Sequence, residues 1–203
     1  MRKYSSIVLL VALVVLSSCK QGSQLSKEKS IDVASTAAVS RLTPEQQMKF
    51  NYFYLEAIRM SESDHSTSAF ELLQHCRRIN PDAPEVDYSL SQFYSTLKDT
   101  SNVLRSMEAA VAKAPENTDY AEELAGDYVR YGHVDKSIAV YESLLNKRPD
   151  RSNLLDNLYV LYSQNKDYDK MISTLNRMEV IEGKNEKLSE EKFRIYVNQN
   201  KPK

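Results

Sequence analysis

The sequence predicts an all-α protein, a solenoid of about four helix-turn-helix repeats closed by one further helix. Three observations carry this. Pro81, Pro115 and Pro149 stand 34 residues apart, and Gly183 stands one period later. The 203-residue chain holds only 4 Gly and no Trp, too few glycines for the tight turns an all-β chain needs. In frames beginning at Phe50, Pro84, Thr118 and Ser152, large residues recur at fixed places. The eleventh are Met60, Tyr94, Tyr128 and Tyr162; the twenty-first are Phe70, Leu104, Ile138 and Ile172. The twenty-fourth are Leu73, Met107, Tyr141 and Leu175. A period of this length marks a stack of supersecondary units, none able to bury its apolar face alone.

Residues 1–18 read as an export signal. Arg2 and Lys3 precede an unbroken apolar run, Ile7 to Leu16. Ten helical residues span about 15 Å, half of a ~30 Å hydrocarbon core, so the run is too short to cross a membrane. Leu16-Ser17-Ser18-Cys19 follows, and this resembles a bacterial lipobox. The resemblance implies that Cys19 takes a diacylglyceryl thioether and becomes the mature N-terminus, held by its acyl chains. An ordinary cleaved signal with a chance cysteine is the alternative. Lys20, not Asp, follows Cys19, which in enterobacteria-like sorting favours the outer membrane, on its periplasmic face or the cell surface. Residues 20–41, rich in Ser, Ala, Lys and Gln, are read with Cys19 as a flexible tether. They have a root-mean-square reach of roughly 25 Å.

The folded region is expected over 42–203. Thr43-Pro44-Glu45-Gln46 has the form of a capping box with Pro at the first helical position. Repeats are expected at about 50–83, 84–117, 118–151 and 152–185. Each proline ends a repeat's second helix, because it lacks an N–H and disfavours α geometry in the residue before it. Ala57, Ser91 and Ala125 in the eighth place let paired backbones approach, but the fourth repeat has Tyr159 there and Met171 at the twentieth. Its two helices are therefore expected to stand further apart. A capping helix is expected at about 189–199, opened by Ser189-Glu190-Glu191 and solvating the end of the array. A longer array cut short at Lys203 is the alternative.

This pattern resembles the tetratricopeptide repeat, with Tyr128 to Pro149, "YVRYGHVDKSIAVYESLLNKRP", the closest match. The resemblance covers about residues 50–185 and implies a right-handed α-solenoid that binds other proteins. One departure stands out. The aromatic of the fourth position is met by Phe53 and Leu155, but by Asp87 and Ala121 elsewhere.

No phosphate loop, dinucleotide fingerprint or H-E-x-x-H run is present, so no catalytic residue, cofactor or metal is assigned. Glu71 and His75 lie i, i+4 without a convergent third ligand, and Cys76 reads as a buried inert thiol. A net charge of −1 with scattered basic residues excludes a field that would collect nucleic acid. The membrane is reached by the lipid anchor only. What the resemblance does imply is a groove along the first helices. Its candidate residues are Tyr54 and Ile58, then Tyr88 and Gln92, then Asp119, Glu122, Glu123 and Gly126, then Asp156 and Asn157. This groove is expected to be aromatic near the tether and anionic further on. Its expected partner is another envelope protein or peptide segment with apolar and basic residues, as in assembly of barrel proteins or secretion machinery. Capture of an envelope glycan or nutrient on Tyr54 and Tyr88 is the alternative.

Overall fold

A computed structural model describes residues 42–63 and 66–199. The signal, Cys19, the tether and His65 lie outside the described residues. Among these residues all regular structure is helical, in nine helices. They are α1 (Pro44–Ser61), α2 (Ser66–Ile79), α3 (Pro84–Thr96), α4 (Thr100–Lys113), α5 (Thr118–Arg130), α6 (Val134–Lys147), α7 (Ser152–Gln164), α8 (Tyr168–Glu182) and α9 (Glu186–Gln199). Consecutive helices pack against one another, first as hairpins and then hairpin on hairpin. This is the nearest-neighbour architecture of a solenoid.

The helix boundaries follow from local chemistry. Thr43 caps α1 in the expected box: its hydroxyl accepts from the Gln46 N–H, and the Gln46 side chain accepts from the Thr43 N–H. Asp99, Asn117 and Asp167 cap α4, α5 and α8 through side-chain oxygens. The second helices end at Ile79, Lys113 and Lys147, two residues short of each proline. The helix α8 ends on Gly183, whose φ of +81° only glycine adopts freely. The closing helix begins three residues before the expected start. Asn185, not Ser189, is its cap, with Oδ1 accepting from the Leu188 N–H.

The turns inside the hairpins repeat as strictly as the prolines. Lys98, Gly132 and Lys166 occupy one place in the period and all have positive φ, +57°, +81° and +54°. After each, the next N–H returns to the carbonyl of the recurring tyrosine: Asp99 to Tyr94, His133 to Tyr128 and Asp167 to Tyr162. This satisfies a carbonyl left over at the end of the first helix.

The buried residues form three clusters rather than one unbroken spine. The first joins Phe50, Ala57, Leu73, Cys76, Val86 and Leu90 across α1–α3. The second is small, comprising Met107, Leu124 and Tyr128. The third runs from Ala125 to Ile195 and is rich in leucine. Val140 touches the second and third clusters. Between the first and second, on α3 and α4, lie the buried polar residues Asp87, Ser91 and Ser106. Asp87 is ion-paired with Lys113 and stands 3.9 Å from Arg77. Met171 is buried in the third cluster, while Tyr159 reaches α9, where its hydroxyl donates to Glu191.

Candidate functional site

The first helices α1, α3, α5 and α7 present one face of the stack, and the candidate residues fall on it. Tyr54 and Tyr88, each in the fifth place of its repeat, are half-buried struts to the next repeat. The Tyr54 hydroxyl lies 3.2 Å from Ser89 Oγ, and its ring stacks on Phe50 at 6.0 Å. The Tyr88 hydroxyl donates to Glu123 at 3.0 Å, and its ring stacks on Tyr120 at 4.8 Å. Burial pushes the Tyr88 phenol up to about 12, with the Glu123 carboxylate adding to the shift. It stays a protonated donor at any physiological pH.

The anionic stretch is largely engaged within the fold. Glu123 accepts from both Tyr88 and the Gln92 amide. Glu122 is paired with Arg151, 2.8 Å away. Asp119 remains exposed in the first turn of α5, where it complements the helix dipole, and Asp156 is exposed further along α7, past its first turn. Sequence spacing placed the carboxylates but not their partners. Arg151 comes from the loop before α7, outside the first-helix positions considered.

Two hollows open on this face. The larger, about 330 Å³, lies between the first two hairpins and is lined by Ile58, Ala69, Leu73, Tyr88, Gln92 and Phe93, with Ser61, Ser66, Ser89 and Thr96 completing the wall. No charged side chain lines it. Three candidates meet there, Ile58, Tyr88 and Gln92. Phe93 was missed because its place in the period holds Arg59, Asp127 and Leu161 elsewhere, so no recurrence marks it. Its ring stacks on Phe70 at 4.5 Å, which fixes the wall. The smaller hollow, about 230 Å³, brings Gly126 and Asn157 together with Val160 and Gln164. Nothing lies within 4 Å of where a Gly126 Cβ would stand. The backbone there is open to a ligand.

The residues considered for chemistry have other places. Cys76 is fully buried, and burial pushes its thiol up to about 11, so it stays protonated. His75 sits edge-on to Phe53 at 4.7 Å, and its Nδ1 lies 3.2 Å from Arg78. Among the described residues no three His, Cys, Asp or Glu side chains converge on a point that would hold a metal, and no helix is long and apolar enough to cross a membrane.

Stacked antiparallel hairpins, a strict 34-residue period and a first-helix face with hollows define the class: a helical-hairpin solenoid. Its fold is that of the tetratricopeptide repeat. A MamA double mutant aligns over 79% of this chain and 88% of its own, with a TM-score of 0.58 and 13% identity. A tetratricopeptide repeat protein from Parabacteroides merdae aligns over 74% of this chain and 65% of its own, at a TM-score of 0.60 and 17% identity. MamA from Desulfovibrio magneticus gives 0.56 at 12% identity, over 79% of this chain and 88% of its own. No protein-family model matches the chain, and no curated protein matches its sequence.

Proposed function

We propose that this protein is a non-enzymatic scaffold that binds another protein, anchored by lipid on Cys19 at the outer membrane of a bacterial envelope. The observation that carries the binding reading is the 330 Å³ hollow, apolar at its base and rimmed by hydroxyls and one amide. Such a cavity fits an uncharged side chain from a bound segment, which is how a few anchors supply most of an interface's affinity. The exposed carboxylates of Asp119 and Asp156 would meet basic residues further along the same segment, giving it direction. An accessory role in assembling barrel proteins or secretion machinery is one concrete form.

The geometry favours a protein segment over a glycan. Tyr54 and Tyr88 each have one ring face stacked and the hydroxyl engaged within the fold, which leaves little platform for a sugar ring.

Photocrosslinking in the native envelope tests this. A crosslinker at Ile58 is expected to trap one dominant partner, and one at Val180, on the far end of α8, is not. Ile58→Asp is expected to abolish capture. Unchanged capture by Ile58→Asp would remove the hollow as the site, and loss of polysaccharide binding without loss of a protein partner would favour the glycan. The anchor is tested separately: Cys19→Ala is expected to move the chain from the membrane to the soluble fraction and end fatty-acid labelling.

A further inference from the structure

The two hollows on the first-helix face are one feature occurring twice. Each of the seven residues lining the smaller one has its counterpart two periods, 68 residues, earlier in the wall of the larger. Gly126 stands where Ile58 does, Tyr141 where Leu73 does, Asn157 where Ser89 does and Gln164 where Thr96 does. At the junction between them the corresponding groups are engaged with one another. There Gln92 donates to Glu123, Arg130 pairs with Asp127, and Met107 fills the Leu73 place at 0% exposure.

The two hollows differ in chemistry. Leu73 lies at the base of the larger one, and Tyr141 holds its place in the smaller. Tyr141 is 6% exposed, and among the described residues its hydroxyl has no hydrogen-bond partner. Tyr128 and Tyr162 are buried to the same degree, yet each donates to a glutamate, as buried phenols ordinarily do. Burial, with the Glu122 charge adding to it, holds the Tyr141 phenol above its ordinary range. It is therefore a donor that lacks an acceptor. Asn157 and Gln164 are exposed at the same hollow, and among the described residues their amides are unpartnered as well. Val129 and Val160, 36% and 50% exposed, supply apolar walls. No charged side chain lines the space.

We infer that the smaller hollow is a second side-chain site for the segment that enters the larger one, and that it takes a carboxamide, Asn or Gln; this rests on the reading of the larger hollow as an anchor site. The ligand's amide oxygen accepts from the Tyr141 hydroxyl, and its N–H groups donate to the side-chain oxygens of Asn157 and Gln164. A carboxylate would be repelled by Glu122, and a cation would find no counter-charge in the wall. The repeat also sets the spacing. Packed helices lie about 10 Å apart, so hollows two repeats apart stand roughly 20 Å from each other. An extended chain advances about 3.3 Å per residue and returns a side chain to the same face every second residue. The partner segment therefore carries an apolar residue and, about six positions away, Asn or Gln.

The test pans random peptides about 18 residues long on the full-length protein in detergent. The expected winners pair an apolar residue with Asn or Gln about six positions away. Tyr141→Phe removes only the hydroxyl. It is expected to weaken a winning peptide about tenfold, the size of a hydrogen bond lost at a desolvated site. Repeating the selection on that variant is expected to replace the carboxamide by an apolar residue, a change of preference that a purely structural tyrosine would not cause. Gly126→Ile, which puts the Ile58 side chain at the equivalent place, is expected to abolish the carboxamide preference and keep the apolar anchor. Circular dichroism of each variant checks that the helices are intact. Winners without a carboxamide, indifference to both variants, or a spacing of about thirteen residues, which would mark a helical segment, would overturn the inference. If selection then still fails on Ile58→Asp, the larger hollow stands as a site alone; if Ile58→Asp selects the same peptides as the parent, both readings fall. Absence of any enriched peptide would overturn the inference as well.

Discussion

The second and fourth hairpins fill the same slot in opposite ways. The fourth place of the repeat holds Asp87 in α3 and Leu155 in α7, 3% and 0% exposed. Leu155 needs only apolar neighbours, and the leucine-rich third cluster provides them. Asp87 needs charge, and Lys113 and Arg77 provide it from the two flanking second helices. The geometry of a helical repeat thus fixes which positions are buried but not their chemistry. The cost of a polar choice is a dedicated partner.

The sharpest way to break this comparison is to exchange the chemistries. Leu155→Asp buries a carboxylate where the places of Arg77 and Lys113 are held by Leu145 and Ile181, and is expected to cost about 4 kcal/mol. Because repeats contact only their neighbours, the loss is expected to open α7–α9 first. Amide exchange would show protection falling there while α1–α4 keep theirs. Uniform loss of protection would mean the three clusters unfold as one.

The reverse experiment is smaller. Asp87→Ala leaves Lys113 without its partner and is expected to cost about 3 kcal/mol in denaturant unfolding. Asp87→Leu combined with Lys113→Met replaces the pair by packing, and is expected to recover most of that. If the double variant is no better than Asp87→Ala, the slot in α3 is shaped for charge and the comparison fails.

How the period became legible follows from these same residues. Prolines, small residues at helix crossings and recurring tyrosines were visible because steric requirements repeat wherever the backbone repeats. Partnerships were harder to see. Glu108 and Glu142 also stand one period apart, and each accepts the hydroxyl of the tyrosine twenty residues later, Tyr128 or Tyr162. A carboxylate on a helix surface looks the same in sequence whether it is solvated or strapped. The same ambiguity hid the engagement of Glu122 and Glu123. Phe93 was hidden for a different reason, its place being aromatic in one repeat only.

The tyrosine straps separate the two halves again. Tyr128 donates to Glu108, which also meets Lys136 at 3.3 Å, and the hydrogen bond from Tyr128 is the main cause holding the Glu108 carboxyl below its usual range. A depressed carboxyl stabilises the fold at neutral pH, and that contribution disappears as pH falls through its folded pKa. Tyr128→Phe is expected to cost about 1 kcal/mol at pH 7, a low figure for a bond to a charged group because the carboxylate is 44% exposed. The difference from the parent is expected to shrink on acidification. In the first half, Gln74 stands where Glu108 would be, so Tyr94→Phe is expected to show no such pH dependence.

The smallest effect concerns a feature both halves share. Lys98 and Lys166 are held at positive φ, where a side chain crowds the following carbonyl, while Gly132 meets the same turn without that crowding. Lys98→Gly and Lys166→Gly each relieve the crowding and each loosen the unfolded chain. The balance is expected to be a gain of about 0.5 kcal/mol. Gly132→Ala is expected to lose a comparable amount, since the φ of +81° penalises any Cβ although nothing stands within 4 Å of it. Matched gains at Lys98 and Lys166 in thermal unfolding would show that the hairpin turn is set by backbone closure alone, whichever core lies beneath it. A gain at one and a loss at the other would show that the aromatic and leucine-rich halves impose different turns, and would carry their difference from the core out to the surface.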